Sequence, residues 1–309
     1  LQYFRGYKTI PQPLEGAVVA VGNFDGVHIG HQEVLRRVRA KAKELSVRSV
    51  VFTFRPHPLK FLIPDKAPSL ISTYEQKREY LKSLEMDILI EEPFTKEFAS
   101  LPAESFVSDI LHDTLQTKYV FAGIDFTFGK GGKADVEHLG RLAAPYGMEV
   151  SVVEPQKMDD IRASSTRIRQ AVVEGQVSLA HFLLGRPFVL SGLVTKGEAR
   201  GRQMGFPTAN LDVEQELLPP YGVYACWAEV QGKRHPAVVN IGMRPTFGAL
   251  SPTVEAHLLD FSGDLYDQSL TLFFVERLRE ERQFPNINAL IDQIKTDILK
   301  AKGVLQSPN

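Results

Sequence analysis

Apolar positions along the chain follow two rhythms, and the change from one to the other divides it. Residues 17–24, AVVAVGNF, begin as an unbroken apolar run of the kind that fills a buried strand. After a turn, HQEVLRRVRAKAKEL (31–45) spaces Val34, Leu35, Val38, Ala42 and Leu45 at helical intervals. The stretches SVVFTF (49–54), DILI (87–90), YVFAGIDF (119–126) and MEVSVV (148–153) predict further strands, with helical patterns between them. Short apolar strands alternating with amphipathic helices imply a parallel sheet covered on both faces. The expected fold of this part is a doubly wound α/β domain, in which ligands collect at the carboxyl ends of the strands.

A helical run, TRIRQAVVEGQVSLAHFLLG (166–185), closes the first part, and the rhythm changes near residue 186. From there FVLSGLVTKG, YGVYACWAEV, HPAVVNIG, TVEAHLLDF and SLTLFFVERL follow one another with Gly and Pro between them. Helical period returns only in NALIDQIKTDILKAKG, through Leu290, Ile291, Ile294 and Ile298. This pattern predicts an antiparallel β-barrel with a terminal helix. The reading is therefore of two domains, 1–185 and 186–309.

Composition narrows the partners. Charged residues make up 24% of the 309 positions and the formal net charge is −1, so no global field marks the chain for nucleic acid or an anionic membrane. The densest basic run, RRVRAKAK (36–43), fits a solvated helix face. Cys226 is the only cysteine, which excludes an internal disulfide or a thiolate metal cluster. No stretch approaches the ~18 apolar residues of a membrane span. A cytoplasmic chain without nucleic-acid or membrane partners is expected, with room for assembly into a homo-oligomer.

Candidate chemistry begins at GNFDGVHIGH (22–31). Gly22 and Gly26 let the backbone pass close to a ligand. His28 and His31 fall at the mouth of the next helix, where free N–H groups and the helix dipole favour phosphate. Alone, the pattern serves a polar βα turn equally well. RASSTRIR (162–169) adds three hydroxyls among three arginines as another helix begins. Ser164, Ser165 or Thr166 could cap that helix, and Arg162, Arg167 and Arg169 can fork onto phosphates. Together the two segments favour a triphosphate site.

A second constellation is GEARGRQMGFPTANL (197–211). Gly197, Gly201 and Gly205 recur every four residues in a loop able to wrap an anion, Arg200 and Arg202 add charge, and Pro207 stiffens the exit. Thr208 and Asn210 alternate along an extended segment, so their oxygen ligands face one side, as a Mg²⁺-nucleotide requires. The spacing is not that of a P-loop. Farther on, Glu255 in PTVEAHLLDF (252–261) is a carboxylate able to take a proton from an attacking hydroxyl, or to pair with an arginine on a neighbouring strand.

GNFDGVHIGH and SSTRIR resemble the HxGH nucleotidyltransferase superfamily, and FRPHP (54–58), PFTKEFASLPAESFV (93–107) and GIDFTFGKGG (123–132) resemble its FMN-adenylylating branch. GRQMGFPTANL, YGVYA, NIGMRPTF, VEAHLLDF and FVERLREERQF resemble the riboflavin kinase module. In that order, they resemble the prokaryotic bifunctional riboflavin kinase/FMN adenylyltransferase (FAD synthetase) family along nearly the whole chain. The resemblance implies a Rossmann-like nucleotidyltransferase domain followed by a barrel kinase domain. It also implies ATP and riboflavin as substrates, FMN as product and then substrate, FAD as final product, and Mg²⁺ with ATP.

By the same resemblance, His28 and His31 would stabilise adenylyl transfer. Gly22, Asn23, Phe24, Asp25, Gly30, Arg162, Ser165 and Thr166 would bind ATP in the first domain, and Pro56, His57 and Asp125 would stand near the flavin. In the second domain, Gly201, Arg202, Gly205 and Pro207 would bind ATP, Thr208 and Asn210 would ligate Mg²⁺, Glu255 would be the general base, and Arg279 would approach the flavin and the transferred phosphate. Asp125 stands where some members carry Asn, Ala163 where a β-branched residue is usual, Lys196 where His is common and Gln283 where Lys is common. Other HxGH enzymes adenylylate nicotinamide mononucleotide or phosphopantetheine, but the attached kinase module argues against those acceptors. A flavin-binding sensor without activity would not need the complete set His28, His31, Thr208, Asn210 and Glu255.

Overall fold

The apolar run at 17–24 becomes a strand of five residues, Ala17–Val21, every one of them buried. It is β2 of a six-stranded sheet whose members are β1 (Gln2–Phe4), β2, β3 (Arg48–Arg55), β4 (Ile88–Pro93), β5 (Thr117–Gly123) and β6 (Glu149–Val153). The order is β1-β4-β3-β2-β5-β6, with every pair parallel. Alternate residues leave β2 on opposite sides, as the pleat requires. Val18 and Ala20 join Leu35 and Val38 of the helix Ile29–Glu44 and Leu81 of the helix Tyr74–Ser83. Val19 and Val21 join Phe106 and Ile110 of the π-helix Phe106–Thr114 and Leu139 of the helix Val136–Ala143. The sheet is thus covered on both faces, as expected.

This computed structural model describes residues 1–154, 157–158, 161–196, 201, 204–246 and 249–306. Its contacts divide into two units, Leu1–Ser164 and Ser165–Asn309. The first unit ends in two short strands, β7 (Lys157–Met158) and β8 (Ile161–Arg162). Within its sheet the connections run outward from β2 through β3 on one side and β5 on the other. The crevice at the carboxyl ends of β2 and β5 is the switch point where such sheets bind ligands.

The second unit opens with two helices, Ser165–Val173 and Val177–Leu184. The single run read from the sequence is interrupted between them by Gly175, whose φ of 76° ends the first helix. Six antiparallel strands follow: β9 (Phe188–Thr195), β10 (Ala209–Val213), β11 (Gly222–Val230), β12 (Lys233–Thr246), β13 (Ala249–Leu258) and β14 (Ser269–Glu280). They close in the order β10-β13-β12-β11-β14-β9. Phe188, Tyr224 and Phe274 are fully buried against one another, with Tyr224 edge-on to Phe274 at 5.3 Å. On the alternate positions of β11 and β12, Ala225, Trp227 and Val238 pack under Ala301 and Leu305 of the terminal helix Ile287–Gln306. Among the described residues no helix is long and apolar enough to cross a membrane.

Gly192 tests this closure. It pairs with Val213 of β10 and Leu270 of β14, and a Cβ added there would lie 2.1 Å from the Asp212 carbonyl oxygen. Neither backbone can yield without disturbing the ladder. Gly192→Ala should destabilise the second unit by about 1–3 kcal/mol, the usual cost of overpacking. Urea unfolding followed through Trp227, the chain's sole tryptophan, reads this unit directly; an unchanged midpoint would contradict the register.

Candidate functional site

Leaving β2, the chain enters a loop that ordinary residues avoid. Phe24 has φ 49°, Gly26 75° and Val27 40°, the last unusual for a β-branched side chain. The strand therefore stops at Val21, three residues short of the apolar run. Several ties hold the loop. Thr53 Oγ1 donates to the Asn23 carbonyl at 3.0 Å, and Gln32 Nε2 donates to the Val27 carbonyl at 2.8 Å. The buried Asp25 carboxylate accepts the Ile71 N–H at 3.1 and 3.2 Å.

The loop delivers His28 to the N-cap of the helix Ile29–Glu44, where its Nδ1 accepts the His31 N–H at 3.4 Å. With Nδ1 accepting, the proton of the neutral ring sits on Nε2. The two imidazoles stack at 3.6 Å between centroids, and Phe24 meets His31 edge-on at 5.2 Å. Gly30 leaves the space next to His28: a Cβ there would come within 3.2 Å of that ring and 3.8 Å of the Ala163 carbonyl. Ala163, just after β8, thus lies beside the mouth of this helix, and Arg162 at the end of β8 is exposed. The result is a helix N-terminus carrying two imidazoles, a strong setting for phosphate oxygens.

Other predicted residues of the first unit also stand at the carboxyl edge of the sheet. Pro56 and His57 follow β3, and Asp125 is exposed in the turn after β5. His57 braces its own loop, since its Nδ1 accepts the Leu59 N–H at 3.2 Å and its backbone N–H donates to the Tyr74 hydroxyl at 3.1 Å. Gly22 packs on Phe24, to whose ring a Cβ at 22 would come within 3.3 Å. Asp25 is likewise turned inward on Ile71. Ser165 and Thr166 open the first helix of the second unit.

In the second unit, register gathers the chemistry. Asn210 of β10 pairs with Glu255 of β13, Glu255 with Asn240 of β12, Asn240 with Val223 of β11, and Val223 with Arg279 of β14. Directly opposed residues share a face, so one row crosses five strands. A β-bulge between Val223 and Tyr224 brings Arg279 into that row in place of Leu278. All five residues line one cavity of about 440 Å³, together with Thr208, His257 and, from the terminal helix, Leu290, Ile294 and Asp297. The fully buried alternates, such as Tyr224, Val239 and Ala256, lie on the opposite face.

Gly201, Met204 and Phe206 of the glycine segment line the same cavity. Phe206 N–H donates to the Gly201 carbonyl at 2.8 Å, and a Cβ at Gly201 would meet the Phe206 carbonyl at 2.4 Å. Gly205 holds φ 86°. The ring Nδ1 of His257 lies 2.8 Å from the Pro207 carbonyl, fixing the segment that carries Thr208 against β13. Arg202, with Gly197 and Arg200, lies outside the described residues.

Arg279 is held from the terminal helix. Its Nε lies 3.2 and 2.9 Å from the two Asp297 oxygens, its Nη2 2.9 Å from Oδ2, and its Nη1 donates to the Glu280 carbonyl at 2.9 Å. Gln293 Nε2 also donates to Asp297, at 2.7 Å. A guanidinium has five N–H donors, so some remain beyond these contacts. Asn240 and Asp297 were not singled out in the sequence. An Asn inside the apolar run AVVNIG was the available signal for the first; no local signal marks Asp297, an acid on an amphipathic helix.

The family model described as FAD synthetase matches residues 10–167, and the one described as riboflavin kinase matches 184–305. The bifunctional riboflavin kinase/FMN adenylyltransferase of Escherichia coli K12 is 36% identical over 306 residues, covering 98% of this chain and 97% of that protein. The proteins of the same name from Pseudomonas fluorescens and Bacillus subtilis are each 38% identical, covering 98% and 91% of this chain and 98% and 90% of theirs. A solved structure described as a macrolide-efflux protein from Streptococcus pneumoniae superposes with a TM-score of 0.87 at 32% identity, covering 97% of this chain and 98% of that one. Its description speaks of efflux, whereas both family models and the sequence relatives agree with one another over the same span.

Removing the Asp297 carboxylate should leave the Arg279 charge partly buried without its partner, since the Arg279 side chain is only 19% exposed and that of Asp297 2%. Asp297→Ala should destabilise the second unit by about 3 kcal/mol, the low end for a broken buried pair because Arg279 keeps some solvent. Denaturation monitored at Trp227 checks this, and a loss well under 1 kcal/mol would show the pair to be dispensable.

Proposed function

The chain belongs to the bifunctional riboflavin kinase/FMN adenylyltransferase family, and we propose that each of its units carries one of the two reactions on the residues described above. The observation that carries this reading is that each unit assembles its own motif: the stacked His28–His31 pair at a helix mouth in one, the Asn210–Glu255–Asn240 row in the other.

In the kinase reaction the riboflavin 5′-hydroxyl attacks the γ-phosphorus of ATP. A new O–P bond forms, the bond to the β-phosphate oxygen breaks, and ADP leaves. Glu255 takes the hydroxyl proton; Asn210 and Asn240, one strand away on either side, flank it with amide groups. Arg279, oriented by Asp297, offers its remaining N–H donors to the phosphate. Thr208 and Asn210 supply hard oxygen ligands for Mg²⁺. Among the described residues no group of three His, Cys, Asp or Glu could hold a metal ion. When bound, Mg²⁺ neutralises charge on the phosphates.

In the adenylylation reaction a phosphate oxygen of FMN attacks the α-phosphorus of a second ATP, and pyrophosphate leaves as the Pα–O bond breaks. This step needs no covalent enzyme intermediate; positioning and charge stabilisation suffice. His28 and His31, with the helix N-terminus, stabilise the charge that develops at the α-phosphate. Gly22, Asn23, Phe24 and Gly30 shape the loop, and Asp25 anchors it. Arg162 binds the triphosphate tail, while Pro56, His57 and Asp125 flank the flavin. The chain acts in the cytoplasm, without nucleic acid or membrane as partner.

Selective loss is the test. Glu255→Ala should reduce FMN formation from riboflavin by about 10²–10⁴, the usual share of a positioned general base, and leave FAD formation from supplied FMN intact. His28→Ala should do the reverse, by about 10²–10³ for one lost transition-state donor. Chromatographic separation of riboflavin, FMN and FAD gives both rates. A folded single variant that lost both reactions would contradict the assignment of one reaction to each unit.

A further inference from the structure

Beneath the loop of the first unit lies a lysine that neither reaction, as described, employs. Lys77, on the helix Tyr74–Ser83, is 5% exposed. Its Nζ lies 3.2 Å from Thr53 Oγ1 and 3.4 Å from the Asn23 carbonyl oxygen, and 5.2 Å from the centre of the Tyr74 ring. Thr53 in turn donates to the same Asn23 carbonyl at 3.0 Å. Two donors therefore converge on the last carbonyl before Phe24, where the backbone first turns to positive φ.

The adjoining cavity, lined by Asn23, Asp25, His57, Ser72, Tyr74 and Lys77 among others, has a volume of about 10 Å³. That is room for about one water and for no substrate. Lys77 consequently acts on the loop, and a methionine would fill the same space at no desolvation cost. Burying an ammonium is expensive, and the position retains one.

We propose that Lys77 is the positioning residue of the adenylylation site, locking the Asn23–Phe24 peptide so that the strained loop presents His28 and His31 to the α-phosphate. The inference rests on the reading of this unit as the FMN-adenylylating one. Asp25 and Glu91 face Lys77 with negative charge, and Arg55 and Arg78 oppose it with positive charge. Glu91 is itself engaged by Arg55 at 3.6 Å and by the Tyr3 hydroxyl at 3.0 Å. Desolvation outweighs the attraction and brings Lys77 down to about 8. The charge that holds the loop is present below that pH and lost as pH rises through it. The unfolded lysine stays protonated up to its ordinary 10.5, so the unfolded state binds more protons between about 8 and 10.5, and stability rises with pH across that window.

The full-length wild type, Lys77→Met and Thr53→Val are compared for FAD formation from supplied FMN and ATP between pH 6.5 and 10, with thermal unfolding recorded for each. At pH 7, Lys77→Met is expected to lower kcat by about 10- to 100-fold, with KM for ATP changed by less than about threefold, because a displaced loop weakens transition-state contacts first. The wild-type rate should fall above about pH 8, and that limb should vanish in Lys77→Met. Its melting temperature should stay level or rise, since a buried charge is gone. Thr53→Val should lower kcat as well, and the double variant should be no worse than the poorer single one. Wild-type kcat and an unchanged alkaline limb in Lys77→Met would overturn the proposal. So would a variant that melts early and loses activity equally at every pH, or a fully additive double variant. A wild type that makes FMN from riboflavin but no FAD would overturn the functional reading of the unit instead.

Discussion

Residues 24–27 have to hold three positive φ angles in four positions, and the first unit is built around that demand. Two of the three fall on Phe24 and Val27, side chains that disfavour the left-handed region, at a cost of about 1–3 kcal/mol each. Offsetting that cost takes hydrogen bonds from three separate elements: Thr53 on β3, Gln32 on the following helix and the Ile71 amide on Asp25. Straightening the loop would carry His28 away from the N-cap and separate the stacked rings. The parallel sheet supplies the anchor for all of this, because its carboxyl edge at β2 and β5 is where the connections diverge.

The second unit solves a comparable problem by register. No strained loop brings Asn210, Glu255 and Asn240 together; they are opposed partners on β10, β13 and β12. Shifting any of these strands by one residue would turn its member of the row to the other face. The bulge on β14 and the Asp297 carboxylate then set Arg279 at the end of the row. Here closure of the barrel fixes the site, and the terminal helix covers it.

The sequence carried the fold class because buried parallel strands and a run of Gly/Pro-punctuated strands read differently even without partners. His28, His31, Thr208, Asn210 and Glu255 could be singled out as candidates because they sit in short local motifs. Asn240 and Asp297 stayed hidden, since their meaning arises from pairing across strands and from a helix that returns to the barrel. Lys77 reads as one more cation on a polar helix until the fold buries it under Asn23. β1, three residues long, is too short to show a period. The end of β2 is masked in the sequence because apolar Phe24 continues the strand pattern while its backbone has already left the strand.

The most direct test of the two-site mechanism follows the native chain through both reactions in one vessel. Purified protein is given riboflavin, excess ATP and Mg²⁺, and flavins are resolved over time. The mechanism predicts that FMN accumulates first and FAD then rises as FMN is consumed, one ATP giving ADP and another giving up its AMP moiety to FAD and releasing pyrophosphate for each FAD made. FMN that accumulates without any FAD, at any ATP concentration, would contradict it.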